Sequence, residues 1–179
     1  MSEQIFKSKI SKRLKTLRKE KGLSLDATAK LTNVSKAMLG QIEREESSPT
    51  IAVLWKIASG LNASFSSFFS NQKEADIAQR TFPNDENMQV KTLFAFSQDS
   101  AMEMFEITLT HHHKQLSTAH STGVVEHIIV RSGCLSVFYD DTWHNLEAGQ
   151  TCRFLSDQPH GYQAVSECCV FENIICYPK

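Results

Sequence analysis

The chain changes its hydrophobic period once, near residue 87, and that switch restricts its fold more than any single motif does. Before it, apolar or small residues recur every three or four positions: Phe6, Ile10, Leu14 and Leu17, then Leu25, Thr28, Ala29 and Leu31, then Leu39 and Ile42, then Ile51, Leu54, Ile57 and Ala58. After it, short runs rich in Val, Ile and Phe alternate with polar residues at Met88 to Phe96, Ala101 to Thr110, Val124 to Arg131, Cys134 to Tyr139, Thr151 to Leu155 and Cys168 to Tyr177. A period of about 3.6 buries one stripe of a helix, whereas a period of two buries one face of a strand. The expectation is a multidomain chain, α then all-β, with a helical domain at 1–70, a polar connection at 71–87 and a strand domain at 88–179.

Punctuation supports both halves. Gly22 stops the first helix, Ser24, Ser35 and Thr50 stand at cap positions, Asn33 supplies a turn and Gly60 ends the fourth helix. Ser64 is expected to open a short fifth helix whose Phe65, Phe68 and Phe69 close a small apolar core. In the second half, Ser132-Gly133, Asp140-Asp141 and Glu147-Ala148-Gly149 read as tight reversals, which suits a compact antiparallel β-barrel or jelly roll.

Charge divides the chain at the same place. Residues 1–70 carry 12 Lys and Arg against 6 Asp and Glu, whereas residues 71–179 carry 7 against 14. The first part can approach a polyanion and the second is repelled by one, so two domains with different partners are expected. No apolar run approaches the roughly 18 residues of a membrane span, and the N-terminus lacks a signal-peptide core. A cytoplasmic location is expected, with no membrane partner. The cysteines at 134, 152, 168, 169 and 176 form no CxxC pair and read as reduced thiols, packed in strands as small hydrophobes.

Two capped helices joined by a tight turn, between Ser24 and Glu43, have the grammar of a helix-turn-helix. On the second of them Lys36, Ala37 and Gln41 lie opposite Leu39 and Ile42, and their side chains suit guanine, the thymine methyl and adenine respectively. Residues 8–69, and the string VSKAMLGQIEREESSPTIAVLWKIASGL above all, resemble the five-helix, lambda-repressor-like DNA-binding domain of the XRE family. The resemblance implies base contacts from Lys36, Ala37 and Gln41, phosphate contacts from Ser35, Arg44, Ser47, Ser48 and Thr50, and either role for Met38. It also implies an ion pair between Arg18 and Glu43. The implied partner is a double-stranded DNA operator, read by a homodimer.

His120-Ser-Thr-Gly-Val-Val-Glu126, with Gly133 further on, resembles the first motif of the cupin superfamily, and Gly149 through Pro159-His160-Gly161 resembles the second. Metal-binding cupins converge three histidines and a glutamate on divalent iron, manganese, nickel or zinc. Here His120, Glu126 and His160 match, but Thr122 stands where the pattern has its second histidine. The resemblance leaves three uses for these residues: a metal site built from His120, Glu126 and His160, an effector site that includes Thr122, or a hydrogen-bonded core. His111, His112 and His113 are consecutive, so as strand residues they cannot converge on one ion, and His127 is expected to face away from Glu126.

The combined expectation is a DNA-binding transcriptional regulator whose cupin domain senses a small-molecule effector. The chain further resembles bacterial regulators of sulfur utilisation, which implies a sulfur-related effector. The alternative is a metal-dependent cupin dioxygenase or isomerase fused to a DNA-binding module. No serine or cysteine carries a catalytic neighbourhood, so a non-enzyme is expected.

Overall fold

Three of the four helices begin at a side-chain cap. Ser24 Oγ accepts from the Ala27 amide at 3.1 Å, Ser35 Oγ from Met38 at 3.2 Å and Thr50 Oγ1 from Val53 at 3.2 Å. Each cap satisfies an N–H that a helix start leaves without an intrahelical partner. They open α2 (Leu25–Thr32), α3 (Lys36–Glu43) and α4 (Ile51–Gly60), which follow α1 (Glu3–Glu20). This computed structural model describes residues 3–69 and 85–178, so residues 71–84 of the expected connection lie outside the described residues. The chain divides into two compact units, Met1–Gln72 and Lys73–Lys179.

In the helical unit, Ile10, Leu14, Leu39, Ile42, Ile51, Leu54 and Ile57 are almost completely buried. Leu31 departs from the expected stripe, being 55% exposed, while Thr28 and Thr32 take the inward positions of α2. A Cβ at Gly60 would lie 2.5 Å from the Leu31 carbonyl oxygen and 2.7 Å from Thr32 Cα, so the end of α4 meets α2 backbone to backbone. Only small side chains fit such a contact. The two threonine hydroxyls donate to the carbonyls of Ser24 and Thr28, at 2.9 and 2.8 Å.

The expected fifth helix is instead a single 3₁₀ turn, Ser66–Phe68, so the described residues of the unit form four α-helices. Phe65 stacks on Trp55 with ring centres 3.9 Å apart and meets Phe69 edge-on at 5.1 Å. One tight turn already buries Phe65, Phe68 and Phe69, and a longer helix would have no further apolar face to cover.

Among the described residues the strand unit has nine strands: β1 (Met88–Ser97), β2 (Met102–Thr110), β3 (Lys114–Ser117), β4 (Val125–Ser132), β5 (Cys134–Tyr139), β6 (Thr142–Glu147), β7 (Thr151–Leu155), β8 (His160–Ala164) and β9 (Cys168–Cys176). They form two antiparallel sheets, ordered β1-β2-β9-β4-β7 and β3-β8-β5-β6. Among the described residues, neither sheet closes on itself into a barrel. Three strands escaped the sequence pattern for physical reasons. β3 and β6 are edge strands with few buried side chains, and the inward positions of β8 are His160, Tyr162 and Ala164. Asp140 and Asp141, at φ 50° and 57°, make the two-residue reversal between β5 and β6. His111 and His112, expected in a strand, also have positive φ, 53° and 55°, and belong to the turn after β2.

Among the described residues, no helix is long and apolar enough to cross a membrane. All five cysteines are free thiols, but only Cys169 is buried and Cys168 is exposed, so strand packing accounts for fewer of them than the sequence suggested.

Candidate functional site

Two clusters of polar side chains stand apart from the apolar cores, one outside the helical unit and one inside the strand unit. On α3 and its flanks, Ser35, Lys36, Ala37, Met38, Gln41 and Arg44 are all exposed, while Leu39 and Ile42 are buried beneath them. The helix is tied to α1 at its far end. Arg18 donates to both oxygens of Glu43, at 2.6 and 2.9 Å, and to the Leu23 carbonyl at 2.9 Å, and Ser11 Oγ donates to the Glu43 carbonyl at 2.8 Å. The Arg18–Glu43 pair implied by the family resemblance is therefore present and largely shielded.

The cations near the exposed face make only solvent-exposed pairs. Lys36 Nζ lies 2.8 Å from Asp26, and Arg44 donates to both oxygens of Glu46 at 2.7 and 2.8 Å. Such pairs contribute little to stability, so either cation can exchange its carboxylate for another anion at small cost. In the following loop, Ser47 and Thr50 are half-buried, and Thr50 spends its hydroxyl on the α4 cap. Ser48 is buried and is not available at the surface in the way the sequence suggested.

The second cluster lies between the two sheets. His120, Glu126 and His160 offer ligand atoms within 4.8 Å of one another. His120 Nε2 is 3.0 Å, and His160 Nε2 3.3 Å, from Glu126 Oε1. Beyond these two imidazole contacts, Oε1 is buried with no hydrogen-bond donor among the described residues. Its partner oxygen Oε2 is well supplied: Tyr162 donates its phenol proton to it, and Asn173 Nδ2 donates at 2.8 Å. Asn173 Oδ1 is a second buried acceptor with no hydrogen bond.

His160 Nδ1 lies 2.9 Å from the Gln158 carbonyl oxygen. A carbonyl only accepts, so Nδ1 carries a proton, and Nε2 faces Glu126 as a lone pair in the neutral ring and as an N–H donor in the imidazolium. Burial works against ionising His160, but the Glu126 charge and the Gln158 carbonyl outweigh it and raise its pKa. Burial likewise opposes the Glu126 carboxylate, yet His160 and His120 hold it well below the usual range. Burial, then the Glu126 charge, pushes the Tyr162 phenol well up and the neighbouring Cys152 thiol to about 11. Tyr162 is thus a fixed donor, and Cys152 is a poor nucleophile.

Two imidazoles and a carboxylate with an unsatisfied oxygen fit a divalent transition metal in donor type and spacing. His120 Nε2, Glu126 Oε1 and His160 Nε2 would hold it, with Gln158 orienting His160 from behind. Thr122 is exposed in the turn before β4 and does not join the cluster. His127 is half-buried, on the opposite phase of β4 from Glu126, beside Cys176. His111 and His112 instead flank Glu167, each at 3.5 Å.

Sequence reasoning missed Tyr162 and Asn173. The signal was present, because Asn173 interrupts the inward series Cys169, Phe171, Ile175 on β9. A polar residue in an apolar phase marks a buried polar site when its partners are known, and here they come from β4 and β8. Glu103 on β2 breaks its own inward series in the same way and accepts a hydrogen bond from Tyr177.

Four helices, three of them opened by a side-chain cap, with an exposed polar face on α3, and a pair of antiparallel sheets enclosing a His-Glu-His cluster define a helix-turn-helix regulator with a cupin-type domain. Comparison with known proteins agrees: the helix-turn-helix family matches residues 14–68. The chain is 42% identical over 171 residues to the HTH-type transcriptional regulator SutR of Escherichia coli strain K12, covering 95% of this chain and 96% of SutR. The crystal structure of an HTH_3 family transcriptional regulator from Vibrio cholerae is 58% identical, with a TM-score of 0.93 over 99% of this chain and 100% of that one. The Cupin_2 domain of an XRE family transcriptional regulator from Enterobacter cloacae is 36% identical, with a TM-score of 0.51, and spans 52% of this chain and 100% of its own. The chain belongs to the XRE family of helix-turn-helix transcriptional regulators with a C-terminal cupin domain. SutR and the Vibrio cholerae protein, which match it over the whole chain, are both named as transcriptional regulators, and the chain is a regulator rather than an enzyme.

Proposed function

We propose that the chain binds double-stranded operator DNA in the cytoplasm as a homodimer, and that a small-molecule effector held by the cupin domain changes that binding. The working division is a lambda-repressor-like head at 1–70, a connection at 71–87 and a jelly-roll sensor at 88–179. Lys36, Ala37 and Gln41 read bases, Ser35, Arg44, Ser47 and Thr50 track phosphate, and Met38 contacts either. Ser48 supports the loop from within, given its burial. One head offers few base contacts, so two heads on half-sites about a helical turn apart supply the specificity.

The observation that carries the sensor reading is the pair of buried acceptors without hydrogen bonds, Glu126 Oε1 and Asn173 Oδ1. Leaving such groups unsatisfied costs about 1 to 3 kcal/mol each, which a ligand bearing donors or positive charge would recover. The effector therefore presents a donor-rich or cationic group to Glu126 and Asn173, with His120 and His160 beside it. A second reading, a bound divalent metal, rests on the convergence of His120, Glu126 and His160 within 4.8 Å. Such an ion would supply Lewis-acid character and an anchoring point for an effector.

Operator binding by fluorescence anisotropy tests the head. Gln41→Ala is expected to lose affinity for the operator but not for random DNA, and equal loss on both would remove Gln41 from base readout. For the sensor, elemental analysis of purified protein tests the metal. Calorimetry with amine-bearing and sulfur-containing metabolites, on wild type and Glu126→Gln, tests the effector, and an operator affinity that no bound ligand alters would overturn sensing.

A further inference from the structure

The helical unit holds a second basic feature, far round α1 from the DNA-reading helix. A cleft of about 310 Å³ is lined by Lys9, Lys12, Arg13 and Thr16 from α1 and by Ser67, Phe68 and Phe69 from the 3₁₀ turn. None of its lining residues is acidic, and Lys9, Lys12 and Arg13 make no ion pair among the described residues. Arg13 Nε is buried there without a hydrogen-bond partner. A guanidinium with an unsatisfied donor in the wall of a basic cleft is stabilised by an anion bound beside it.

The cleft is not part of the α3 face. At about 100° per residue, Ser11 and Arg18, which bind Glu43 at the end of α3, point in nearly the same direction from α1. Lys9, Arg13 and Thr16 point roughly 140 to 180° away from them, and Lys12 roughly 100 to 120°. A duplex lying along α3 is therefore on the other flank of α1.

We propose that this cleft is a binding site for a phosphate dianion, free or as the terminal group of a small phosphate monoester. Three positive charges match a dianion better than a single carboxylate. The guanidinium supplies planar paired donors, the lysines supply point charges and Thr16 supplies a hydroxyl proton. Ser67 Oγ already donates to the Ser64 carbonyl at 2.7 Å, so it contributes an acceptor for a protonated phosphate oxygen or a sugar hydroxyl. The apolar floor of Phe68 and Phe69 bounds the cleft where the chain leaves the helical unit.

Amide NMR of the full chain, titrated with inorganic phosphate, with ethyl phosphate and with sodium chloride at equal ionic strength, tests this. Saturable shifts at Thr16, Ser67 and Phe69 are expected with the phosphates and not with chloride, and the tighter of the two phosphates identifies the free or esterified ligand. Arg13→Gln should weaken phosphate binding about tenfold while leaving operator affinity and its salt dependence unchanged. Lys12→Gln, at an exposed position, repeats the test should Arg13→Gln fold poorly. Shifts that follow ionic strength alone, or phosphate affinity that neither variant changes, would overturn the site. Loss of operator affinity in parallel with phosphate affinity would make the cleft a DNA contact and equally reject the proposal.

Discussion

The helical unit keeps hydrocarbon inside and its chemistry outside, whereas the strand unit encloses much of its chemistry. Inside the first, aliphatic and phenyl side chains meet, and its main polar tie, Arg18–Glu43, sits towards the edge with complementary bidentate geometry. Inside the second, Glu126, His160, Tyr162 and Asn173 are buried together, and two of their acceptor atoms have no hydrogen bond. The first interior is arranged for stability and the second gives some up. A site that binds a ligand must hold polar groups unsatisfied until the ligand arrives.

That contrast can be tested by changes that should have opposite signatures. Each unit contains one of the two tryptophans, Trp55 and Trp143, so a Trp→Phe change in either isolates the fluorescence of the other during denaturant unfolding. The largest effect expected is from Phe65→Ala, which removes a fully buried ring stacked on Trp55 and should destabilise the helical unit by about 4 kcal/mol. A loss under about 1 kcal/mol would show that the core there is loosely packed. Next is Arg18→Met, expected to cost about 3 kcal/mol because it strands the shielded Glu43 carboxylate. The double change Arg18→Met with Glu43→Leu should recover part of that loss.

Ser24→Ala should cost about 1 kcal/mol through the lost α2 cap, followed by the same midpoint shift. The smallest effect on stability is expected in the strand unit. Glu126→Gln keeps an acceptor for Tyr162 and Asn173 and places an amide donor towards the His160 Nε2 lone pair, so stability should change by less than about 1 kcal/mol. Ligand or metal binding should be abolished in the same variant. If Glu126→Gln instead unfolded the strand unit as strongly as Phe65→Ala unfolds the helical one, the buried cluster would be a structural network.

The helical unit was the more legible of the two because its signals are local. Caps at Ser24, Ser35 and Thr50 act within three residues, and each stands where the sequence placed it. The sequence missed where a neighbour intervened. Leu31 lost its inward place because Gly60 brings α4 against the α2 backbone, and the three phenylalanines closed the core in one turn instead of a helix. In the strand unit, strands facing an apolar interior were readable. β8 was not, since its inward side chains serve the cluster, and the edge strands β3 and β6 bury too little to carry a period.

The change of period, the charge asymmetry and the cap residues are written into the chain, because each depends only on spacing or composition. They determined an α-then-β protein with an exposed helix suited to DNA, while the resemblance to the cupin motifs nominated His120, Glu126 and His160. What only the tertiary structure decided is who stands beside whom. Tyr162 and Asn173 reach Glu126 from 36 and 47 residues away, Thr122 stays at the surface, and Arg13 meets the 3₁₀ turn across a basic cleft. Hydrogen bonds and ion contacts act over a few ångströms whatever the sequence separation, so partners drawn from different strands or helices become visible only once the chain has folded.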